Sequence, residues 1–473
     1  MVKNSGPAHN LADDIPRSTR LDNEGQDGSP LSLRFAGSPV VPFGMLSAVG
    51  LPPGVSWANR FSLLNAVSWS LVLGSPLILY AKSIGCGDAI LGVLAAIPPL
   101  LVVLQIPGAY LLPRFGYRRV MVSGWAARTV FIFALAGSVL WPDSNLAKVA
   151  WLLASIGVFS IFRSITGGAY MPWVTSLVPA DVRGKFFTRD QLFGQGGNVI
   201  SLLVAAACLF GNPQPWQFAL VFFLAGAGGF ASLLCLVRLP DISTPESHAR
   251  SGARVGLREM LRQRSFRRLS IFNVVYSLVW GGLGVFTIAF LRQTEGLSQS
   301  AIVLLSSVSV FGGLVSLLWS GVVIDRIGSR PIMTLCVVAS ILIFLGWWAL
   351  AAKIIPLNPV FIGTLYLLMG MSALNFAAAN NRLQSLNIPH QGRNHYFAVF
   401  AVATSVAAGL SPLVWGLILE SIGTHHSHTG SIAWNRYSIF FGCGWLLCLP
   451  LLRFARRLDD HSGVNTGQQS ATV

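Results

Sequence analysis

Apolar runs long enough to cross a bilayer as helices recur along most of the chain, bounded by charged or Gly/Pro-rich joints. They cover about 57 to 80, 89 to 112, 119 to 140, 147 to 171, 190 to 211 and 216 to 237. After a basic connection come 269 to 291, 299 to 324, 331 to 352, 358 to 381, 396 to 420 and 434 to 453. The pattern predicts an all-α membrane protein with 12 transmembrane helices in two groups of six. Residues 1 to about 34 are polar and mix both charge signs, which predicts a disordered tail with no cleavable leader. Residues 35 to 55 are interrupted by Pro39, Pro42, Pro52 and Pro53, which argues against a span there. The expected organisation is a tail over 1–55, a first bundle over 56–240, a basic loop over 241–268, a second bundle over 269–456 and a tail over 457–473.

Composition agrees with a bilayer as the main solvent. Of 473 residues, 53% are hydrophobic and 11% charged, against roughly 25% charged in a soluble domain. With a mean hydropathy of +0.63, the chain is not an ordinary soluble enzyme. The formal charge of +16 would raise the question of nucleic acid in a soluble protein. Here the basic residues gather in alternate joints: Arg114, Arg118 and Arg119; Arg183, Lys185 and Arg189; the arginine-rich loop from Arg238 to Arg268; Arg326 and Arg330; Arg382 and Arg393; Arg453, Arg456 and Arg457. The opposite joints hold only Lys82, Lys148, Arg292, Lys353 and Arg436. The positive-inside rule then puts both termini in the cytoplasm, and no nucleic-acid partner is expected. The six cysteines show no paired CxxC spacing, so neither a disulfide framework nor a metal site is inferred.

The two halves resemble each other. Arg60, Ser62 and Asn65 at the start of the first run are matched by Arg268, Ser270 and Asn273 at the start of the seventh, an offset of 208. Pro179, Arg183 and Phe187 are matched by Pro389, Arg393 and Phe397 at an offset of 210, and Arg114, Gly116 and Arg118 by Arg326, Gly328 and Arg330 at 212. Three matches in one order at nearly constant spacing indicate an internal duplication, a common plan for carriers with a site between two bundles.

Twelve spans, the six-plus-six repeat, the basic central loop and Gly321-x-x-x-Asp325-Arg326-x-Gly328-x-Arg330-Pro331 together resemble the major facilitator superfamily (MFS), over about residues 57 to 455. The resemblance implies a cytoplasmic latch formed by Gly321, Asp325, Arg326, Gly328 and Arg330 with Arg114, Gly116, Arg183 and Arg393. The first copy departs from the pattern: Pro113 stands where the acid belongs and Ala109 where the glycine does, so Asp325 is expected to carry more of the latch. Arg114, Arg118 and Arg119 serve equally well as topology determinants. Arg163-Ser-Ile-Thr-Gly167 resembles the Arg-x-x-x-Gly motif of proton-coupled drug exporters, but the Gly-Pro antiporter motif is missing from the fifth run.

Charges inside the hydrocarbon need a partner or a wet cavity, which singles out Arg128 and Arg163. For Arg163 both a substrate or coupling role and a structural one are open. For Arg128 the expectation is a structural bond to carbonyls or neighbouring polar groups. No Asp or Glu is expected at mid-membrane, with Asp190 and Glu420 placed at run ends, so proton coupling has no evident acid. Asn65 and Trp69 share one helix face by their spacing of four, and Asn273 and Trp280 share another, with Asn375 and Asn380 on the tenth run. Such faces suit a polar solute across a central cavity, or serve as packing between helices. His425, His426 and His428 are expected to form a solvated loop rather than a metal site.

The expected function is secondary transport of a small polar or anionic solute by alternating access, not enzymatic catalysis, with no cofactor. The expected partners are the solute and the lipid bilayer, and the expected state is a monomer in the plasma (inner) membrane. A non-transporting receptor or scaffold with this fold is the alternative, followed by a proton-coupled drug exporter.

Overall fold

A computed structural model describes residues 54–140, 144–179, 182–241, 257–388, 393–423, 427–429 and 432–459. Among the described residues, 12 helices are long and apolar enough to cross a membrane. In the first half these are span 1 (Ser56–Ser83), span 2 (Asp88–Ala109), span 3 (Leu112–Gly137), span 4 (Asn145–Leu177), span 5 (Phe186–Cys208) and span 6 (Pro215–Val237). In the second they are span 7 (Arg264–Gln293), span 8 (Gln299–Ser320), span 9 (Ser329–Ala351), span 10 (Pro359–Asn387), span 11 (His395–Ile422) and span 12 (Arg436–Ala455). Each predicted run falls on one of these helices. The expected N-terminal tail over 1–53, residues 242–256 of the basic loop, the tail from 460 onward, and His425 and His426 lie outside the described residues.

Several spans are broken where the sequence pattern predicts continuous runs. Span 1 divides at Gly74, whose backbone is extended (φ −88°, ψ −160°), and restarts with Pro76. Span 7 divides at Gly281 and Gly282, the matching place in the repeat. Glycine costs nothing sterically in the broken turn, and proline has no N–H to leave unpaired at a helix start. Hydropathy does not register either effect. The repeat is also a backbone repeat: Gly116 (φ 77°, ψ 161°), inside span 3 near its start, and Gly328 (φ 87°, ψ 171°), just before span 9, turn the chain in the same way, in a region open almost only to glycine.

With twelve alternating spans, the start of span 1 and the end of span 12 share one end of the molecule, called here the near end. At the far end spans 4, 6, 8, 10 and 12 start on polar caps. Ser144 and Ser298 accept from backbone amides, and Asn358 accepts from the amides of Val360 and Phe361. Gln214 and Asn435 form reciprocal capping boxes. These groups satisfy donors that a helix end would otherwise leave bare. Where a solvated loop is expected before span 12, a short antiparallel hairpin forms (Ser427–Thr429 with Ile432–Trp434), tied to span 9 through the Ala433 amide and the Ala352 carbonyl.

The two bundles meet mainly along spans 2 and 11 and along spans 5 and 8. Spans 2 and 11 touch backbone to backbone: a Cβ on Gly416 would stand 2.7 Å from the Asp88 carbonyl oxygen, and one on Gly92 would collide with that of Pro412. The second bundle is filled by rings, including Phe272, Tyr276, Trp347 and Phe440. Large apolar side chains such as Leu146, Val360 and Phe223 are left on the outside, as a lipid-facing surface requires.

Candidate functional site

A charged cavity lies inside the first bundle, has a volume of about 360 Å³, and is walled by spans 1 to 5. Span 1 contributes Ser62, Asn65 and Trp69 on one face, because residues three to four apart stack on a helix. Span 3 contributes Arg128, span 4 contributes Arg163 and Tyr170, and span 5 contributes Asp190, Gln191 and Asn198.

The two arginines are held differently. Arg128 is 1% exposed, and its guanidinium donates to Asn65 Oδ1. It lies 4.1 Å from the ring centre of Trp125 and 5.3 Å from that of Phe159, so ring faces and one amide serve in place of a counter-ion. This agrees with the expected bond to a neighbouring polar group, although Arg128 also lines the cavity. Arg163 lies half-buried, 4.1 Å over the ring of Trp69. Among the described residues it has no hydrogen-bond acceptor and no carboxylate partner. A guanidinium presents five donors and stays charged, so this group faces the cavity with its valence unfilled.

Asp190, expected at the start of the fifth run, lies near the start of span 5 and lines the cavity. It is inside a helix that starts at Arg183, and its Oδ1 accepts from Ser62 Oγ at 2.6 Å. The Tyr170 hydroxyl lies 3.3 Å from the same Ser62 oxygen and donates to the Ala58 carbonyl. Hydropathy places the run boundary at the first charged residue, which puts Asp190 at the edge when the helix carries it inward. The cavity wall therefore holds two guanidiniums against one carboxylate, leaving one positive charge in excess.

The structure separates the remaining predicted site residues. Asn273 is 2% exposed and its amide donates to the Leu269 carbonyl of its own helix at 2.9 Å. Trp280 donates to Ser340 Oγ and stacks on Tyr276. Asn375 donates to the Met371 carbonyl and accepts from Ser320, while the Asn380 side-chain oxygen is buried without a partner among the described residues. Of the two roles open for these faces, cavity lining and packing, Asn273 and Trp280 take the packing one. Asn65 and Trp69 face the cavity, whereas Asn273 and Trp280 are built into the packing of the second bundle.

At the near end, Arg114, Arg326 and Arg330 are exposed. Arg183 donates to the Thr175 and Val178 carbonyls, satisfying the end of the helix just before it rather than reaching the other bundle. The surroundings of Gly321 and the side chains of Asp325 and Arg393 lie outside the described residues.

The far end carries a polar cluster that sequence reasoning missed. Asp88, fully buried at the start of span 2, receives Lys82 on one oxygen at 2.8 Å and Arg436 of span 12 on the other at 2.9 Å. Tyr437 reaches the same carboxylate, and Arg436 also donates to Gln293. Glu420 of span 11 accepts from the amides of Asp88 and Ala89, placing a carboxylate at the positive end of span 2. These contacts join the two bundles and seal this end. The only sequence signal was that Lys82 and Arg436 lie in the charge-poor joints.

This architecture can be compared with known proteins. The model of the Major Facilitator Superfamily matches residues 61–412. The chain belongs to that superfamily. An uncharacterized MFS-type transporter of Bacillus subtilis (strain 168), YfkL, is 24% identical over 326 residues, covering 66% of this chain and 75% of that protein. Among solved structures, the nucleoside transporter NupG aligns with a TM-score of 0.61 and 15% identity over 85% of this chain and 99% of that one. The inward open xylose transporter XylE from E. coli aligns with a TM-score of 0.64 and 14% identity over 86% and 96%. At such identities the solved structures speak to the fold alone. This MFS protein is a multi-pass secondary transporter.

Proposed function

We propose that the protein carries a small solute bearing an anionic group, by rocking the two bundles about the cavity at Arg163. The observation that carries this reading is a guanidinium inside a membrane span that stacks on Trp69, faces a cavity and has no protein acceptor among the described residues. A carboxylate or phosphate on the solute completes its hydrogen bonds and balances the excess charge of the wall. In this reading the protein is a monomer of the plasma (inner) membrane with both termini cytoplasmic. The sealed far end then faces outward, and Asp88–Arg436 is the bond that parts when the site opens to that side.

Uptake into proteoliposomes is the test, with carboxylates, organic phosphates, sugars and amino acids offered in turn. Anionic solutes are expected to be taken up, with the loss concentrated in KM when Arg163 is replaced by Ala. Uptake confined to neutral solutes and indifferent to Arg163 would overturn the reading, and absence of any flux would favour a receptor with this fold.

A second reading concerns coupling. Asp190 shares the cavity and is held by Ser62, so it is placed to carry a proton between the two halves of the cycle. Uptake that follows an imposed pH gradient in the native protein but not in Asp190→Asn supports it. Gradient-independent uptake in both opposes it.

A further inference from the structure

A second cavity of about 400 Å³ lies between the bundles. It shares Trp69 and Asn198 with the charged cavity, so the two spaces are neighbours around one indole and one amide. Its walls come from both bundles: Leu73, Ile78 and Leu202 on one side, Val285, Ile288 and Val310 on the other. Among the described residues, no charged side chain lines it. The glycine breaks of spans 1 and 7 open onto it, through Gly74 and Gly281, where the absence of side chains leaves room.

Part of the polar lining of this second space is already committed. Ser306 donates to the Ile302 carbonyl, and the hydroxyls of Ser70 and Ser201 bond each other. The hydroxyls of Ser75 and Tyr366 and the side-chain oxygen of Asn198 are buried in the wall without a hydrogen-bond partner among the described residues. A body rich in hydroxyls would find partners for only a few of its groups in this uncharged space, at a loss of roughly tenfold in affinity for each group left unpaired. An apolar body gains instead, by about fourfold for each methylene taken out of water.

We propose that the solute of this carrier is an amphipathic monoanion, with its anionic head at Arg163 and its apolar body in the cavity between the bundles. This rests on the reading of Arg163 as an anion anchor and adds the class of molecule attached to the anion. The single excess positive charge of the first cavity matches one negative charge on the head. Trp69 serves both parts, stacking on Arg163 with one portion of the ring and walling the apolar space with another. Because the body would touch both bundles, its binding would report on how closely they are packed.

The experiment is calorimetric titration of the full-length purified protein with straight-chain monocarboxylates from acetate to octanoate, with gluconate as a hydroxylated anion and octylamine as an apolar cation. The expected result is affinity that climbs by about two- to fourfold per methylene, with gluconate and octylamine far weaker than octanoate. Gly284→Leu projects into the apolar space, since a Cβ there meets no atom within 4 Å, and should flatten the climb. The native protein's chain-length series needs no variant and stands if that one fails to fold. A flat series with gluconate bound as well as octanoate would overturn this inference and leave the anion reading intact. Octylamine bound as tightly as octanoate would overturn both, as would a protein that takes none of the panel.

Discussion

Spans 1 and 7 descend from one repeat and start with the same arginine, serine and asparagine, yet the two asparagines have different tasks. Asn65 accepts from Arg128 and faces a charged cavity, whereas Asn273 turns back on the Leu269 carbonyl and is buried. The position matching Arg128, at the offset of 212 that aligns the two glycine turns, is Ser340, which accepts from Trp280. Where the first bundle places guanidiniums and a carboxylate around a cavity, the second places stacked rings, with Tyr276 and Phe376 only 3.7 Å apart at their centres. Duplication preserved the backbone path and the turns. Side chains then made one half polar and hollow and the other apolar and tightly filled.

The sharpest way to break this contrast is to remove the open charge. Arg163→Ala should raise KM by about 10- to 100-fold, the worth of a charge-assisted bond, as measured by initial rates of uptake. Arg163→Lys keeps the charge but loses the planar stack on Trp69, and should fall between. The paired asparagines come next. Asn65→Ala leaves a buried guanidinium without its acceptor and should cost about 2 kcal/mol in stability along with transport, whereas Asn273→Ala should cost about 1 kcal/mol and spare KM. Equal effects on KM at the two sites would dissolve the distinction between the bundles.

The far-end seal gives a test of intermediate size. Asp88→Asn or Arg436→Ala should shift the population toward the far-end-open form by roughly tenfold, the scale of one buried charged bond. Cys86 reports this shift: it is 3% exposed beside the cluster, and burial pushes its thiol up to about 11, so it reacts slowly with maleimide while the seal holds. Labelling should quicken in either variant, and an unchanged rate would mean that the cluster does not hold the bundles together. The smallest effect concerns the turn glycines. Gly116→Ala and Gly328→Ala should each cost about 1–3 kcal/mol of thermal stability, similarly in both bundles, because both backbones occupy the same strained region.

The sequence by itself determined the twelve spans, the duplication and the family. Each of these is written in local hydropathy, local spacing or a short motif, and a bilayer leaves a run of about twenty apolar residues little choice but a spanning helix. It also marked Arg163 and Asn65, because a charge or amide amid hydrocarbon stands out in one dimension. Only the tertiary structure decided that Asp190 turns inward, that Asn273 is packed away, and that Asp88 in the first bundle meets Arg436 in the second. Those outcomes depend on which helix faces meet and on where a helix starts relative to its apolar run. Both are set by contacts between residues far apart in the chain, which no local pattern records.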